Sequence, residues 1–150
     1  MAVLRDTPYG EFNFLVDIGT GDTSGPEAGF QECSAIGVEI SVAEYRNGND
    51  KSNAVRKITG LSKVPDVTLK RGVIGSLNLW NWIDQVRNGD QNALRTVRIQ
   101  LQSEDHTEVV MTWVLQRARP VKYDAGPLDA KGTDVAIEEL TLAYERLEIE

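Results

Sequence analysis

Residues that could support metal chemistry are sparse in this sequence. It contains one histidine, His106, and one cysteine, Cys33. The usual zinc sites need several cysteine or histidine ligands, so they cannot be assembled from these two. Carboxylates alone could still bind a hard cation, but no stretch has the spacing of a calcium-binding EF-hand loop. The sequence therefore predicts no metal site and no cofactor.

Candidate nucleophile and phosphate loops are also incomplete. Residues 21–25 (Gly-Asp-Thr-Ser-Gly) depart from Gly-x-Ser-x-Gly, and Pro26 follows where a helix should begin. Residues 19–21 (Gly-Thr-Gly) follow a predicted strand but lack a correctly placed third glycine. His106 lies in a polar turn, and a catalytic triad also needs a positioned nucleophile. We therefore predict that the protein is not an enzyme.

Composition and charge indicate one globular domain that does not bind nucleic acid tightly. The chain has 150 residues, 41% hydrophobic and 26% charged, with a net charge of −7. Residues 41–72 hold seven bases and three acids, whereas residues 124–150 hold two bases and eight acids. Such segregation is compatible with head-to-tail association and equally with solvated faces. With no secretory signal and no long apolar run, we expect cytoplasmic synthesis and no membrane anchor.

Alternation of apolar and polar residues predicts a mainly β protein. Strands are expected within residues 9–18, 30–45 and 67–70, and residues 97–101 and 109–115 read as a hairpin. Arg119-Pro120 should end or bend that hairpin. Residues 46–63 are polar and basic, which favours a long loop. The alternation places Phe12, Phe14 and Trp113 in the core.

One helix is predicted between the third strand and the hairpin. Ser76 is a candidate N-cap, Leu79, Trp82, Ile83 and Val86 have helical spacing, and Asn88-Gly89 is a stop signal. Trp82 and Ile83 should face the core. The last segment is ambiguous, and its pattern alone favours a helix. These elements favour two packed antiparallel sheets, as a sandwich or small barrel, with one short flanking helix.

Six stretches, taken in order, resemble the tail tube proteins of contractile phage tails and phage-tail-like injection systems. They include Pro8-Tyr9 followed by Phe12-x-Phe14, and the run Leu79-Trp80-Asn81-Trp82-Ile83. The resemblance covers essentially the whole chain, through residues 6–14, 30–34, 66–73, 79–83, 112–123 and 135–145. The sequence departs from the family pattern at residues 35–36 and 117–119, and these departures do not change the resemblance.

This resemblance implies a single tail tube domain over residues 1–150 whose copies form hexameric rings around a continuous β-barrel lumen. Rings would stack into a tube that is driven through an envelope and conducts DNA or protein. Its expected partners are further copies, the sheath, the baseplate or spike, and tube-terminating proteins. The resemblance also makes residues 135–147 a strand, against the helical pattern. The alternatives are a type VI secretion tube protein or a soluble β-sandwich binding module, for instance for carbohydrate.

The resemblance and the charge pattern together suggest two sets of assembly residues. Ring-to-ring contact is predicted for the basic segment and for acids near the C-terminus, namely Arg46, Lys51, Arg56, Lys57, Lys63, Glu138, Glu139, Glu145 and Glu148. The lumen is predicted to be lined by the outward-facing side chains of the two strands that flank the basic segment, namely Glu39, Ser41, Thr68 and Lys70.

Overall fold

A computed structural model describes residues 2–150, which form nine β-strands, one α-helix and a short 3-10 turn at Pro26–Ala28. The elements are β1 (Phe14–Asp17), β2 (Glu32–Cys33), β3 (Glu39–Tyr45), β4 (Arg56–Lys63), β5 (Val67–Gly72), α1 (Asn78–Arg87), β6 (Arg95–Gln102), β7 (Val109–Ala125), β8 (Ile137–Ala143) and β9 (Arg146–Ile149). No helix within residues 2–150 is long and apolar enough to cross a membrane.

The long strand β7 joins the two halves of the main sheet. Its first part pairs with β6 and β9, and its second part pairs with β8. The strand bends between them, where Arg117 has a φ of 54° and the register shifts between Pro120 and Lys122. Beyond β6 lies β1, and beyond β8 lie β5 and β2. The bend predicted at Arg119-Pro120 therefore folds one sheet back over the core.

The core lies between these two halves, where the inward-facing side chains of their strands meet. Both halves contribute fully buried aliphatic side chains, namely Val16, Val97, Ile99 and Leu115 from one and Val67, Leu69, Leu140 and Leu142 from the other. The predicted fold class, mainly β with one flanking helix, is confirmed.

Helix α1 covers one side of this core. Leu79 and Trp82 are fully buried, and the Trp82 indole Nε1 donates to the Ala93 carbonyl oxygen at 2.7 Å. Ile83, assigned to the core from its spacing, is only half-buried and lies outside the core cluster. Leu79 and Val86 pack in the core instead of Ile83, because they lie three residues before and four residues after Trp82, on the helix face that is turned inward.

The C-terminal segment forms strands β8 and β9, so the helical interpretation of its pattern is wrong. Glu138, Leu140 and Leu142 point inward along β8, with half-buried residues between them. Pairing with β5 on one side and β7 on the other satisfies the backbone of β8. Helix propensity is a weak preference by comparison, and tertiary pairing overrides it.

Two other predictions are corrected by the structure. Phe12 is 67% exposed, because regular strand structure begins only at Phe14 and the alternation before it has no partner strand. Phe14 and Trp113 are half-buried against the core. The predicted loop at residues 46–63 is a loop only to residue 55, since β4 begins at Arg56. The alternation of β4 is irregular because the strand contains a β-bulge: Ile40 pairs with Ser62, but Val42, two residues on, pairs with Thr59, three residues back.

Candidate assembly surfaces

Strands β3 and β4 form a two-stranded ribbon that continues the β2–β5 pair out of the body. Glu32 pairs with Lys70 and Glu39 pairs with Lys63. Seven residues separate these pairs on both strands, so the two pairs share one register. We call residues 39–63 the ribbon.

Every residue of β3 and β4 is exposed, including large apolar side chains. The cross-strand pairing puts Ile40 and Val42 on one face and Ile58 and Leu61 on the other. An isolated two-stranded hairpin is marginally stable in water, and exposed apolar surface commonly marks an interface. Because both faces carry apolar side chains, the ribbon has the composition of a segment that neighbouring molecules cover.

The Tyr144 side chain makes one of the contacts that tie the root of the ribbon to the body. The Tyr144 hydroxyl donates to the Gly37 carbonyl oxygen at 3.4 Å, and burial raises the pKa of that hydroxyl. Residues 34–38 are not in a strand, and Pro65 on the facing segment has no N–H to donate. The ladder is therefore interrupted where the ribbon leaves the body.

Two of the basic candidates organise the tip of the ribbon. The Arg46 guanidinium donates to the carbonyl oxygens of Ser52 and Asp50, each at 3.0 Å, and Arg56 lies 3.6 Å from the Asp50 carboxylate. Lys51, Lys57 and Lys63 are exposed. The tip is thus a hydrogen-bonded loop, in which Lys51 is exposed.

The acidic candidates are all paired within the chain. Glu139 lies 3.4 Å from Lys70 Nζ, and Glu148 lies 3.0 Å from Arg146 Nε. Glu145 pairs with both Arg117 and Arg119. Glu138 is only 4% exposed, so the prediction that it contacts another ring is wrong. Its strand parity places it inward, where it binds a buried arginine.

That arginine, Arg71, is the centre of a buried polar network. Its Nε donates to Glu138 Oε1 at 2.6 Å, one terminal nitrogen donates to the Glu27 carbonyl oxygen at 2.7 Å, and the other donates to Asn78 Oδ1 at 2.6 Å. The Tyr123 hydroxyl donates to Glu138 Oε2 at 2.5 Å. Burial, reinforced by Glu138, raises the pKa of Tyr123 to about 12. The network pins β5, β8, β7, α1 and the 3-10 turn to one another.

Sequence reasoning missed this network, although the alternation contains its signal. Arg71 falls on the same parity as buried Val67 and Leu69, and Glu138 shares the parity of Leu140. An arginine and a glutamate on inward positions of adjacent strands must neutralise each other, because an unpaired buried charge is costly.

The opposite face of β5 and β8 is polar with paired charges. Lys70 Nζ lies 3.8 Å from Glu32 and 3.4 Å from Glu139, and the Thr68 and Thr141 hydroxyls are 3.2 Å apart. Thr68 and Lys70 thus share one half-exposed face. Glu39 and Ser41 share a face of the ribbon, beyond the interruption at residues 34–38, so the four lumen candidates come from two different strand pairs.

The tryptophans form no stacking platform of the kind a carbohydrate site uses. Trp82 is buried and Trp113 packs against the core. Trp80 is partly covered, with the Arg87 guanidinium 5.1 Å from its ring and Tyr123 edge-on at 6.0 Å. Among residues 2–150, no group of three or more histidine, cysteine or acidic side chains is placed to hold a metal ion.

A β-sandwich with open edge strands and an exposed two-stranded ribbon has the features of a structural subunit that associates with further copies. The sequence model of the T4-like virus tail tube protein gp19 matches residues 10–148. The chain therefore belongs to this tail tube family, and it is a structural subunit of a tail tube. No curated protein sequence matches it.

Solved structures agree. A chain of the anti-feeding prophage tube-terminating cap matches with a TM-score of 0.84 at 24% identity, covering 100% of this chain and 95% of that one. A chain of the PVC extracellular contractile injection system, in its extended sheath–tube complex, matches with a TM-score of 0.82 at 27% identity, covering 95% and 91%. A type six secretion system protein matches with a TM-score of 0.55 at 11% identity, covering 92% and 82%.

Proposed function

We propose that this protein forms hexameric rings that stack into the inner tube of a contractile phage tail or phage-tail-like particle. The sheath drives this tube through a target envelope, and its lumen conducts DNA or protein. The observation that carries the proposal is the ribbon, whose apolar side chains on both faces are left uncovered in a single chain. Lateral pairing between copies closes the sheet edges at β1 and β2 that one chain leaves open.

The proposed partners are further copies, the sheath, the baseplate or spike, and tube-terminating proteins. The related anti-feeding prophage and PVC particles, whose structures include a baseplate, a sheath and tube terminators, support this set. The subunit is made in the cytoplasm and then built into the particle. Its role is mechanical and conductive, and no residue performs bond chemistry.

A contractile tail particle is favoured over a type VI secretion machine. The match to the PVC sheath–tube chain has a TM-score of 0.82, compared with 0.55 for the type six secretion protein. Both share the fold, but only the first also exceeds a quarter of identical residues. The more detailed likeness therefore supports a tail-like tube.

Within this tube, the face that holds Thr68 and Lys70 is proposed to line the lumen. Its lysine is neutralised by Glu32 and Glu139, and its threonines hydrogen-bond to each other. A polar lining with paired charges gives transported DNA or protein little to bind tightly. Glu39 and Ser41 remain predicted lumen residues on the ribbon.

Assembly of the purified protein tests the proposal. Sedimentation and electron microscopy at high concentration, or on a co-expressed baseplate, should show rings and tubes. The double variant Arg56→Glu/Lys57→Glu should stay folded but stack poorly, and high salt should weaken stacking of the wild type. The variant Arg87→Glu/Arg146→Glu, which reverses two exposed charges on the body, is the matched control. Only a 16.6 kDa species under all conditions would contradict the proposal.

A further inference from the structure

The chain contains two asparagine–glycine pairs, Asn47-Gly48 and Asn88-Gly89. Such a pair can modify itself, because the glycine nitrogen can attack the side-chain carbon Cγ of the asparagine. The glycine N–H proton then leaves with the side-chain NH2 group as ammonia, and water opens the resulting imide ring to isoaspartate or aspartate. Glycine favours this reaction because it has no side chain to restrict the approach of its nitrogen. The surrounding structure decides which pair reacts.

The end of α1 holds the Asn88 pair in an unreactive conformation. Asn88 is the C-cap of the helix and has a ψ of 7°. At this angle the Gly89 nitrogen is far from eclipsing the Asn88 Cβ, as closure of the imide ring requires. The Gly89 N–H also donates to the Val86 carbonyl oxygen at 3.1 Å. The next N–H, of Asp90, donates to the Gln85 carbonyl oxygen at 3.1 Å, so rotation into the reactive geometry would break two capping hydrogen bonds.

The tip of the ribbon leaves the nucleophile of the Asn47 pair available. Within residues 2–150 the Gly48 N–H donates to no protein acceptor, and Gly48 is exposed. A β-carbon placed on Gly48 would meet no atom within 4 Å, so nothing crowds the backbone there. Rotation of the Asn47 peptide would break one backbone hydrogen bond, from the Asp50 N–H to the Asn47 carbonyl oxygen at 3.1 Å.

The Tyr45 hydroxyl is placed to assist the attack on Asn47. It donates to the Asn47 side-chain oxygen Oδ1 at 2.5 Å. Attack at Cγ moves negative charge onto this oxygen. A hydrogen-bond donor already aimed at a developing oxyanion stabilises the transition state. The ribbon tip therefore supplies a nucleophile without a competing acceptor and a donor at the oxygen that becomes charged.

We propose that Asn47 is a site of spontaneous deamidation promoted by Tyr45, and that the helix end protects Asn88. Exposure alone predicts the reverse order, since Asn88 is exposed and Asn47 is half-buried. The product adds negative charge to a chain whose net charge is already −7. Isoaspartate also lengthens the backbone within the turn that Arg46 and Asp50 organise, because the chain then runs through the former side chain.

Ageing of the purified chain tests the proposal. The folded protein is incubated in mildly alkaline buffer and sampled over time. It is then digested in acid, where the reaction is slow, and deamidation at each asparagine is measured by mass spectrometry. Tyr45→Phe removes only the hydroxyl, and Gly48→Ala blocks the attack while fitting the open space beside that residue. Chain unfolded in urea is the reference, in which both pairs should react at similar rates.

In the folded protein we expect Asn47 to react at least about tenfold faster than Asn88, because the capping hydrogen bonds are each worth about a factor of two to ten. Tyr45→Phe should slow the reaction at Asn47 by about two- to tenfold, the effect of one hydrogen bond, and leave Asn88 unchanged. Gly48→Ala should almost abolish deamidation at Asn47.

Three results would overturn the proposal. The first is an Asn88 that reacts as fast as Asn47 in the folded protein, which would mean that the helix cap gives no protection. The second is an Asn47 that stays intact when folded but reacts in urea. The third is an unchanged or faster reaction in Tyr45→Phe, which would remove the assisting role of the hydroxyl. Denaturant titration of each variant shows that the compared proteins are equally folded.

Discussion

The body and the ribbon of this protein solve the problem of open β-strands in opposite ways. In the body, each half of the sheet buries its apolar alternates against the other, and the inward charges of Arg71 and Glu138 bind each other at 2.6 Å. In the ribbon, the same chain pairs only two strands and leaves Ile58 and Leu61 in solvent. The body buries its apolar alternating side chains within one copy, whereas the ribbon leaves its own exposed.

This difference separates what folding stabilises from what assembly stabilises. Variants of the body should lower the free energy of unfolding of the monomer. Variants of the ribbon should leave that quantity nearly unchanged and reduce tube formation.

The largest effect is expected for Trp82→Ala. The side chain is fully buried, and its indole N–H is bonded to Ala93, so truncation leaves a cavity and an unpaired carbonyl. We expect a loss of about 3–5 kcal/mol in the free energy of unfolding, measured by denaturant titration. Trp80→Ala, on the exposed side of the same helix, is the control and should cost far less. Equal losses would show that α1 does not pack as described.

A loss of similar or slightly smaller size is expected for Arg71→Met. The substitution roughly keeps the side-chain volume but leaves the Glu138 carboxylate buried without its cation. Breaking a buried pair from one side costs about 3–5 kcal/mol. The double variant Arg71→Met/Glu138→Met should recover much of that loss, because no unpaired charge remains. A double variant less stable than either single one would contradict this view of the network.

The ribbon variant Ile58→Ser/Leu61→Ser should change the free energy of unfolding by no more than about 0.5 kcal/mol, as exposed substitutions usually do. Tube formation should nevertheless fall sharply, because the substitutions remove apolar surface that we propose neighbouring copies cover. Unfolding is followed by denaturant titration and assembly by sedimentation. Thr59→Ser, on the same strand, is the conservative control. A clear loss of monomer stability would mean that the ribbon packs on its own body.

Periodicity was informative where strands are regular and failed where they are not. The hairpin of β6 and β7 and the position of α1 follow from alternation and helical spacing. Strand β4 was hidden because the bulge opposite Ser41 breaks its period. The C-terminal strands needed the family resemblance, because Glu138 and Glu139 favour a helix until tertiary pairing decides.

The assembly surfaces were harder to predict for a physical reason. Sequence shows that a residue is charged, but it does not show whether a partner in the same chain already neutralises it. Glu145 and Glu148 looked available for contact between rings, yet each has an arginine within the chain.

The smallest effect is expected at the N-terminal segment, which is exposed like the ribbon but tied to the body like a strand. Arg5 donates to both oxygens of Glu104, at 2.9 and 2.5 Å, and to the carbonyl oxygens of Thr7 and Pro8. The Gly10 N–H donates to Glu104 at 3.1 Å. The Arg5 hydrogen bond is the main cause that lowers the pKa of Glu104 to about 2.

Because this pKa is lowered on folding, the contact is fully present above the ordinary value of 4.5 and is lost as the pH falls towards 2. The chemical shift of the Gly10 amide should follow this loss, with a midpoint near 2. Arg5→Gln should move the midpoint up towards 4.5, and Glu104→Gln should abolish the titration. Asp105, in the same turn, also has its pKa lowered to about 2, by hydrogen bonds from Ser103 and Thr107. Asp105→Asn is therefore the necessary control, and it should leave the Gly10 titration in place. A midpoint that Arg5→Gln does not change would mean that the segment is free of the body in solution, and that the N-terminal segment belongs with the ribbon in the comparison.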